Sequence, residues 1–258
     1  LPLSGGADSA CVAGIVRIMC AMVVDEVESD GHDEACERTM NDVLGEDLLG
    51  QYRSASSRRE KGNILCNAIL HTSYMGTENS STNTLDRARD LAIQIGSYHN
   101  SISITIITNA ILGVLATITD RKPRFLDQGG SHAEDIALQN IQARVRMVMT
   151  YLEAQLLPWV RNRSGFLLVL GSGNVDEALR GYMTKYDCSS ADLNPIGGIC
   201  KIDLKRMLLW ASNKYEVPAL RDIAEAKPSA ELRPLAEGEG AMDYSQTDED
   251  DMGMTYEE

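Results

Sequence analysis

The chain opens with LPLSGGADS at residues 1–9, and the apolar run ACVAGIVRIMCAMVV follows at residues 10–24. Gly5 and Gly6 can turn the backbone sharply because neither carries a Cβ, so the pattern predicts a strand end, a tight loop and a helix start. Backbone N–H groups at a helix N-terminus attract anions, and this loop therefore suits a phosphate group. The same residues equally fit an ordinary turn in which Asp8 or Ser9 caps the helix.

The rest of the chain alternates short apolar runs with longer amphipathic ones. We interpret three short runs as interior strands, namely NILCNAIL (63–70), SISITII (101–107) and FLLVLG (166–171). Apolar residues at helical spacing predict helices over residues 86–96, 134–157 and 175–186. This alternation predicts an α/β fold with a mostly parallel sheet, in which ligands bind beyond the carboxyl ends of the strands.

Composition and charge exclude several classes of protein. With 43% hydrophobic residues the chain can build a sizeable core, so wholesale disorder is excluded. Residues 25–47 and 237–258 each carry a charge of −9, so the rest of this −14 chain carries +4. We expect both acidic segments to be solvated loops or tails. Since no long basic stripe is visible, we expect no nucleic-acid partner.

Cysteine use and hydropathy bear on the compartment. The six cysteines form no CxxC pair, which disfavours a disulfide framework and a zinc ribbon. Ser, Thr and Asn interrupt residues 101–119, which we interpret as a buried strand running into a helix rather than a membrane span. We therefore expect a cytoplasmic protein without a membrane partner. The first residue is Leu1 and the last residues are acidic, which favours a fragment of a longer protein.

A second stretch, LVLGSGNVDEALRGYMTKYDCSSADLNPIGGICK at residues 168–201, places acids directly after a predicted strand. Glu177 lies in the first turn of the next predicted helix, where an acid can simply complement the helix dipole. It could instead join Asp8 in binding the Mg²⁺ of a nucleotide, because Mg²⁺ prefers oxygen ligands. Lys185, Asp192 and Lys201 could approach charged groups of a substrate, although each alone also fits a surface charge.

The SGGxDS loop resembles the pyrophosphate loop of the N-type ATP pyrophosphatases, which cleave ATP between the α and β phosphates. It lacks the lysine of the Walker motif, which disfavours an NTPase that grasps the γ-phosphate. Five further segments resemble the synthetase part of eukaryotic-type glutamine-dependent NAD synthetases in particular. They are residues 72–84 (TSYMGTENSSTNT), 129–147 (GGSHAEDIALQNIQARVRM), 168–201, 227–232 (KPSAEL) and 245–258 (SQTDEDDMGMTYEE).

This resemblance implies a fold and a set of site residues. The implied fold is an adenine-nucleotide alpha-hydrolase-like three-layer sandwich, with a mostly parallel sheet and helices on both faces. The implied metal ligands are Asp8 and Glu177, which with Ser4 and Lys201 form the implied catalytic set. The implied ATP contacts are Ser4, Gly5, Gly6, Asp8, Ser9, Ser172, Lys201 and Ser229. The implied deamido-NAD contacts are Arg144, Lys185 and Asp192.

The resemblance also implies an activity and partners. Residues 1–258 would form one synthetase domain, a carbon–nitrogen ligase that uses ATP and Mg²⁺ to amidate deamido-NAD. Glutamine would supply ammonia through a glutaminase domain before residue 1 of the full-length chain, and the protein would be a homo-oligomer. Two alternatives stay open, namely a related ATP pyrophosphatase ligase with another acceptor, and a non-catalytic nucleotide-binding or oligomerisation module.

Overall fold

The computed structural model describes residues 1–226, 231–234, 248, 249, 253, 255 and 256. The strands are β1 (His71–Gly76) and β2 (Tyr98–Ser103). The helices are α1 (Ala7–Val27), α2 (Glu34–Ser54), α3 (Arg58–Ile69), α4 (Thr82–Ile95), α5 (Thr105–Thr119), α6 (His132–Val160), α7 (Val175–Arg180), α8 (Lys201–Tyr215) and α9 (Pro218–Glu225).

The sheet is parallel, as the sequence predicted. Strand β1 pairs with β2 from His71↔Tyr98 to Gly76↔Ser103. On the other side of β1, residues 1–3 run parallel to it through a bridge between Pro2 and Ser73, and the Leu3 N–H donates to the Ser73 carbonyl at 2.9 Å. Because these segments are parallel, residues 4–9 and the loop after β1 leave the sheet at the same edge.

Helices cover both faces of this sheet and complete the predicted three-layer arrangement. All six residues of β1 are buried. Tyr74 belongs to the main core, in which α1, α4, α8 and α9 contribute buried side chains such as Val12, Leu91, Leu208 and Leu220. Met75, the next residue, packs on the opposite face with Val145 of α6 and Ile104. Successive side chains of a strand point to opposite faces, so β1 lies between two helical layers.

Local sequence explains where several helices begin. The Ser81 side chain caps α4 by accepting from the Thr84 N–H at 3.2 Å. Ser131 and Glu134 form a reciprocal capping box at the start of α6, and Asn174 and Glu177 form another at the start of α7. Gly96 ends α4 in a left-handed conformation, as the predicted helix over residues 86–96 implied.

The predicted strand over residues 63–70 is wrong, because residues 63–69 form the second half of α3, Leu70 is its C-cap, and the strand begins only at His71. Leu65, Cys66 and Ala68 are buried in the helix. A short apolar run of this length cannot be assigned to a strand or a helix by periodicity alone. The cap at Ser57, whose side chain accepts from the Glu60 N–H, starts a helix that runs through the apolar segment.

Four further expectations need correction. Residues 25–47 are no solvated loop, since most belong to α2, which packs through Met40, Leu44 and Tyr52. Residues 166–171 make only an isolated bridge at Leu170 within the described chain. The helix after them ends at Arg180 instead of residue 186. Residues 101–119 do run from strand to helix, but the strand ends at Ser103 instead of residue 107, Ser101 and Ser103 are exposed, and α5 buries only Thr108.

Helix α1 has the length and apolar composition of a membrane span, but half of its most apolar window is buried inside the fold. Core helices of globular proteins meet the same criteria. Because α1 supplies ten buried residues, we describe it as the central core helix.

Candidate active site

The loop at residues 4–9 is held by its own side chains. The Ser4 and Ser9 hydroxyls lie 3.1 Å apart, the Gly6 N–H donates to Ser4 Oγ at 3.2 Å, and Ser9 Oγ donates to the Gly6 carbonyl at 3.2 Å. Gly5 has a φ of +80°, and a Cβ there would lie 2.2 Å from the Thr84 carbonyl oxygen of α4. Only glycine therefore allows the loop to pack on the first turn of α4.

The ordinary capping turn, one of the two interpretations of this loop, is wrong. Asp8 and Ser9 lie inside α1, whose N-cap is Gly6, and no side chain caps this end within the described residues. The first N–H groups of a helix have no partner inside it, so those of α1 are available to an external anion.

Asp8 is hydrogen-bonded to two residues of the segment 168–201. Its Oδ1 accepts a hydrogen bond of 2.8 Å from Asn174 Nδ2, and its Oδ2 accepts from Lys201 Nζ. Asn174 is fully buried and Lys201 is 2% exposed. Glu177 closes the capping box with Asn174, its N–H donating to Asn174 Oδ1 at 3.0 Å. Asn174 therefore links the two acids that the sequence singled out.

The charges at this point are unbalanced. Burial, together with the carboxylate of Asp8, raises the pKa of Glu177 to about 8. Burial disfavours the charged form of Lys201, but Asp8, Asp248 and Glu177 outweigh it and raise the pKa of Lys201 above its usual value. Three acidic side chains thus share one buried ammonium group, and the raised pKa of Glu177 reflects this crowding of acids, which a bound cation would relieve.

Residues of the chain's end complete this cluster, and the sequence analysis assigned them no role. Asp248 Oδ2 lies 3.9 Å from Lys201 Nζ, and the Tyr256 ring centroid lies 5.1 Å from the same atom. The Tyr256 hydroxyl donates to Asp248 at 3.3 Å. Both residues fall in the quoted segment 245–258, but its many similar acids gave no means of choosing Asp248.

Two cavities adjoin the loop. Cavity A, of about 250 Å³, is bounded by residues 4–6, the end of β1, the start of α4, and Arg146 of α6. Cavity B, of about 460 Å³, is lined by Asp8, Ser9 and Glu177 among others. Both are lined by Ser4 and Ser172, so these two predicted ATP contacts lie where the cavities meet.

None of the three predicted deamido-NAD contacts lines either cavity. Arg144 is part of α6, and Lys185 and Asp192 follow α7 and are hydrogen-bonded to residues of α6. Arg144 Nε donates to the Lys185 carbonyl at 2.9 Å, which fastens the loop after α7 to α6. The Lys185 ammonium lies 4.9 Å from the centroid of the Tyr186 ring. Asp192 accepts from the Val169 N–H at 2.8 Å and from the Tyr151 hydroxyl at 3.1 Å. Ser229, a predicted ATP contact, lies outside the described residues.

Comparison with known proteins identifies the family. The family model described as NAD synthase matches residues 1–258. The chain belongs to the NAD synthase family. Among curated members, the glutamine-dependent NAD(+) synthetase of Saccharomyces cerevisiae is 50% identical over 260 residues, covering all of this chain and 34% of the yeast protein. Its human namesake is 49% identical over 258 residues, covering all of this chain and 35% of that protein.

Solved members of the NAD synthase family agree with the fold. The crystal structure of a glutamine-dependent NAD(+) synthetase from Cytophaga hutchinsonii superposes with a TM-score of 0.69 at 26% identity, over 91% of this chain and 36% of that one. The present chain therefore spans about a third of the length of the curated relatives it matches.

Proposed function

We propose that this chain is the synthetase portion of a glutamine-dependent NAD synthetase, which amidates deamido-NAD at the expense of ATP. The observation that carries the proposal is the meeting of Asp8 and Glu177 through the buried Asn174, beside the uncapped N-terminus of α1. These groups come from the starts of two helices far apart in sequence, and they surround a place where the phosphates of a nucleotide fit.

The reaction divides into two steps. A carboxylate oxygen of deamido-NAD bonds to the α-phosphorus of ATP, the bond from that phosphorus to the bridging oxygen breaks, and pyrophosphate leaves with the electron pair. Ammonia then bonds to the acyl carbon, AMP leaves, and the nitrogen loses its proton to solvent. The substrate supplies the nucleophile, so the chain mainly has to position the reactants and neutralise charge.

Named groups of the chain fit these tasks. The free N–H groups at the start of α1 would bind phosphate oxygens, and Ser4 and Ser172 would contact ATP where the cavities meet. Lys201 holds Asp8 in place and offsets its charge. Arg144 would act on deamido-NAD from α6, and Lys185 and Asp192 would act on it from the chain that follows α7.

The donor set fits Mg²⁺ as well. Mg²⁺ is commonly held by one or two carboxylates plus substrate phosphates. Asp8 and Glu177 supply two carboxylates, and the described residues contain no group of three or more potential ligands that could hold a metal alone. We propose that Asp8 and Glu177 hold Mg²⁺ together with ATP. When bound, the ion would neutralise charge on the phosphate oxygens.

The test is a reaction of this chain with ATP, Mg²⁺, ammonium and deamido-NAD, followed by mass spectrometry. We expect the dinucleotide to change by the mass difference between a carboxylic acid and its amide, with one AMP per amide. The variant R206M changes an exposed side chain of α8 and serves as the control. AMP release only with another acceptor would contradict the acceptor, and ATP binding without AMP would favour a non-catalytic module.

We also propose that the protein is a homo-oligomer with its own glutaminase domain in the full-length chain. An apolar surface on α5 and α6 supports self-association, since Ile106, Val114 and Ile118 of α5 are 80%, 65% and 75% exposed. Exposed apolar patches of this kind mark interaction surfaces. Sedimentation of V114E against the unsubstituted chain tests this, with loss of the oligomer expected.

We also propose a cytoplasmic location, which is supported by six cysteines that are all free thiols.

A further inference from the structure

Arg146 of α6 is a cation that the fold leaves incompletely paired. Its Nε donates to the Met75 carbonyl of β1 at 3.0 Å. An arginine has five N–H donors, so four remain on the two terminal nitrogens. Among the described residues those nitrogens make no hydrogen bond, and no carboxylate lies within 4.0 Å of them. Arg146 is half-buried, and this burial lowers the pKa of its guanidinium group.

The acids around Arg146 are already occupied. Glu231 lies near it on the wall of cavity A, but its oxygens accept from the Ser81 N–H at 3.0 Å, from Ser81 Oγ at 2.7 Å and from Thr84 Oγ1 at 2.8 Å. Asp187, also on that wall, accepts from two backbone N–H groups at 3.2 and 2.8 Å. These acids therefore bond to the chain's own donors rather than to the guanidinium.

Two other acidic neighbours of Arg146 among the described residues are the Cys188 thiol and the Tyr74 hydroxyl, and the Tyr74 hydroxyl is hydrogen-bonded to Thr84 Oγ1 at 3.0 Å. Burial raises the pKa of Cys188 to about 11, so this group is neutral at physiological pH. Arg146 therefore presents unused donors and a positive charge to a cavity whose nearby acids are engaged. Desolvating such a cation is costly unless an anion pairs with it.

The position of this cation selects the anion. Cavity A is bounded on one side by Ser4, Gly5 and Gly6 of the phosphate loop, and Arg146 lines the same cavity. Guanidinium groups bind phosphate oxygens through two parallel hydrogen bonds. Arg144 cannot serve in this place, because residues two apart on a helix point in different directions and Arg144 binds the Lys185 carbonyl instead.

We propose that Arg146 binds a phosphate oxygen of the ATP held by the loop at residues 4–9. This inference rests on the proposed function only in naming ATP as the loop's ligand. The hydrogen bond to Met75 fixes the guanidinium against β1, so its remaining donors need no reordering when the nucleotide binds. The sequence resemblance implied a substrate contact for Arg144, with deamido-NAD, and for no other arginine. The proposal adds Arg146 as a contact for ATP.

The test compares nucleotides that differ only in phosphate. Calorimetry would measure the binding of ATP, AMP and adenosine, each with Mg²⁺, to the unsubstituted chain and to R146M, R146Q and the control R206M. For R146M we expect ATP to bind about 10- to 100-fold more weakly, because a hydrogen bond to a charged group is lost. Adenosine should bind equally well, and R206M should match the unsubstituted chain.

Each outcome decides the proposal. An unchanged ratio of ATP to adenosine affinity in R146M would overturn it and leave Arg146 as a brace between α6 and β1. If R146M fails to fold, R146Q answers the same question, because its neutral amide can still donate to the Met75 carbonyl. Weaker AMP binding would place the contact at the α-phosphate, and unchanged AMP binding with weaker ATP binding at the outer phosphates. A chain that binds ATP through Arg146 but forms no NAD would contradict the proposed function and not this inference.

Discussion

Two groups of half-buried or buried charges lie at opposite ends of β1, and the fold satisfies them differently. At the amino end, Arg161 donates to both oxygens of Asn67 at 2.8 and 2.9 Å. Arg163 donates to the carbonyls of Val43, Leu44 and Ala68 at 3.0, 3.1 and 3.4 Å. These guanidinium groups are paired with the chain's own oxygens, which ties the end of α6 to α2 and α3.

At the carboxyl end of β1 the charged groups are not fully paired with one another. Three acids share one lysine, and the terminal nitrogens of Arg146 have no described partner. Charge arrangements that the chain does not satisfy by itself are typical of functional sites, where a ligand completes them. Burial alone does not distinguish a functional charge from a structural one, and neither does an unused donor, since Nη1 of the buried Arg17 also lacks a partner among the described residues. Arg146 differs because its unused donors belong to a side chain that lines a cavity beside the loop at residues 4–9.

The largest expected effect is on catalysis at the carboxyl end. E177Q removes an ionisable group whose pKa burial and Asp8 raise to about 8, but it keeps an oxygen that can accept from the Asn174 N–H. We expect NAD formation to fall by about a hundredfold or more, while the free energy of unfolding stays equal or increases. Steady-state assays and urea denaturation measure both quantities, with E225Q on α9 as the control. Full activity in E177Q would remove Glu177 from the site.

The next largest expected effect is a loss of stability when the arginine contacts at the amino end of β1 are removed. R163M would leave three carbonyls without their donor, so we expect a loss of about 3 kcal/mol in the free energy of unfolding. The KM for ATP should not change, because Arg163 lies at the other end of β1. Urea denaturation and initial rates test the two parts separately. A raised KM with unaltered stability would reverse the roles assigned to the two regions.

A smaller effect depends on pH. Burial, with the nearby charge of Arg161, lowers the pKa of His71 from 6.5 to about 4. In the unfolded chain His71 is protonated below about pH 6.5, whereas in the folded chain it stays neutral down to about pH 4. The free energy of unfolding therefore decreases as the pH falls through this window. Between pH 7.5 and 5 the loss is about 2 kcal/mol. H71Q should remove this part of the slope, and H132Q, at an exposed position, should retain it.

Sequence reasoning succeeded where local chemistry decides the structure. The loop around Gly5 and the apolar run behind it predicted α1, and the carboxyl-end rule for parallel sheets brought Asp8 and Glu177 to one place. It failed at β1, whose letters HTSYMG carry no strand signal. These polar residues are buried only because neighbours satisfy them, as Asn100 and Glu153 do for Ser73.

The same limit explains the missed site residues. Arg144 and Arg146 are separated by one position, and only the packing of α6 on β1 decides which of them faces cavity A. Asp248 and Tyr256 reach Lys201 from a segment rich in acids, in which no spacing distinguishes one acid from the next. Long-range packing, rather than local pattern, selects these residues.

The smallest expected effect lies at a helix start outside both charge clusters. Ser131 caps α6 by accepting from the Glu134 N–H at 3.4 Å, while the Glu134 carboxylate accepts from the Ser131 N–H at 2.7 Å. S131A should cost about 1 kcal/mol in the free energy of unfolding, with unchanged activity. The equivalent capping box at Asn174 also donates to Asp8, so N174A should lose activity as well as stability. If S131A and N174A changed activity equally, the cap of α7 would matter only for folding. The distinction between structural and functional contacts would then not hold for Asn174.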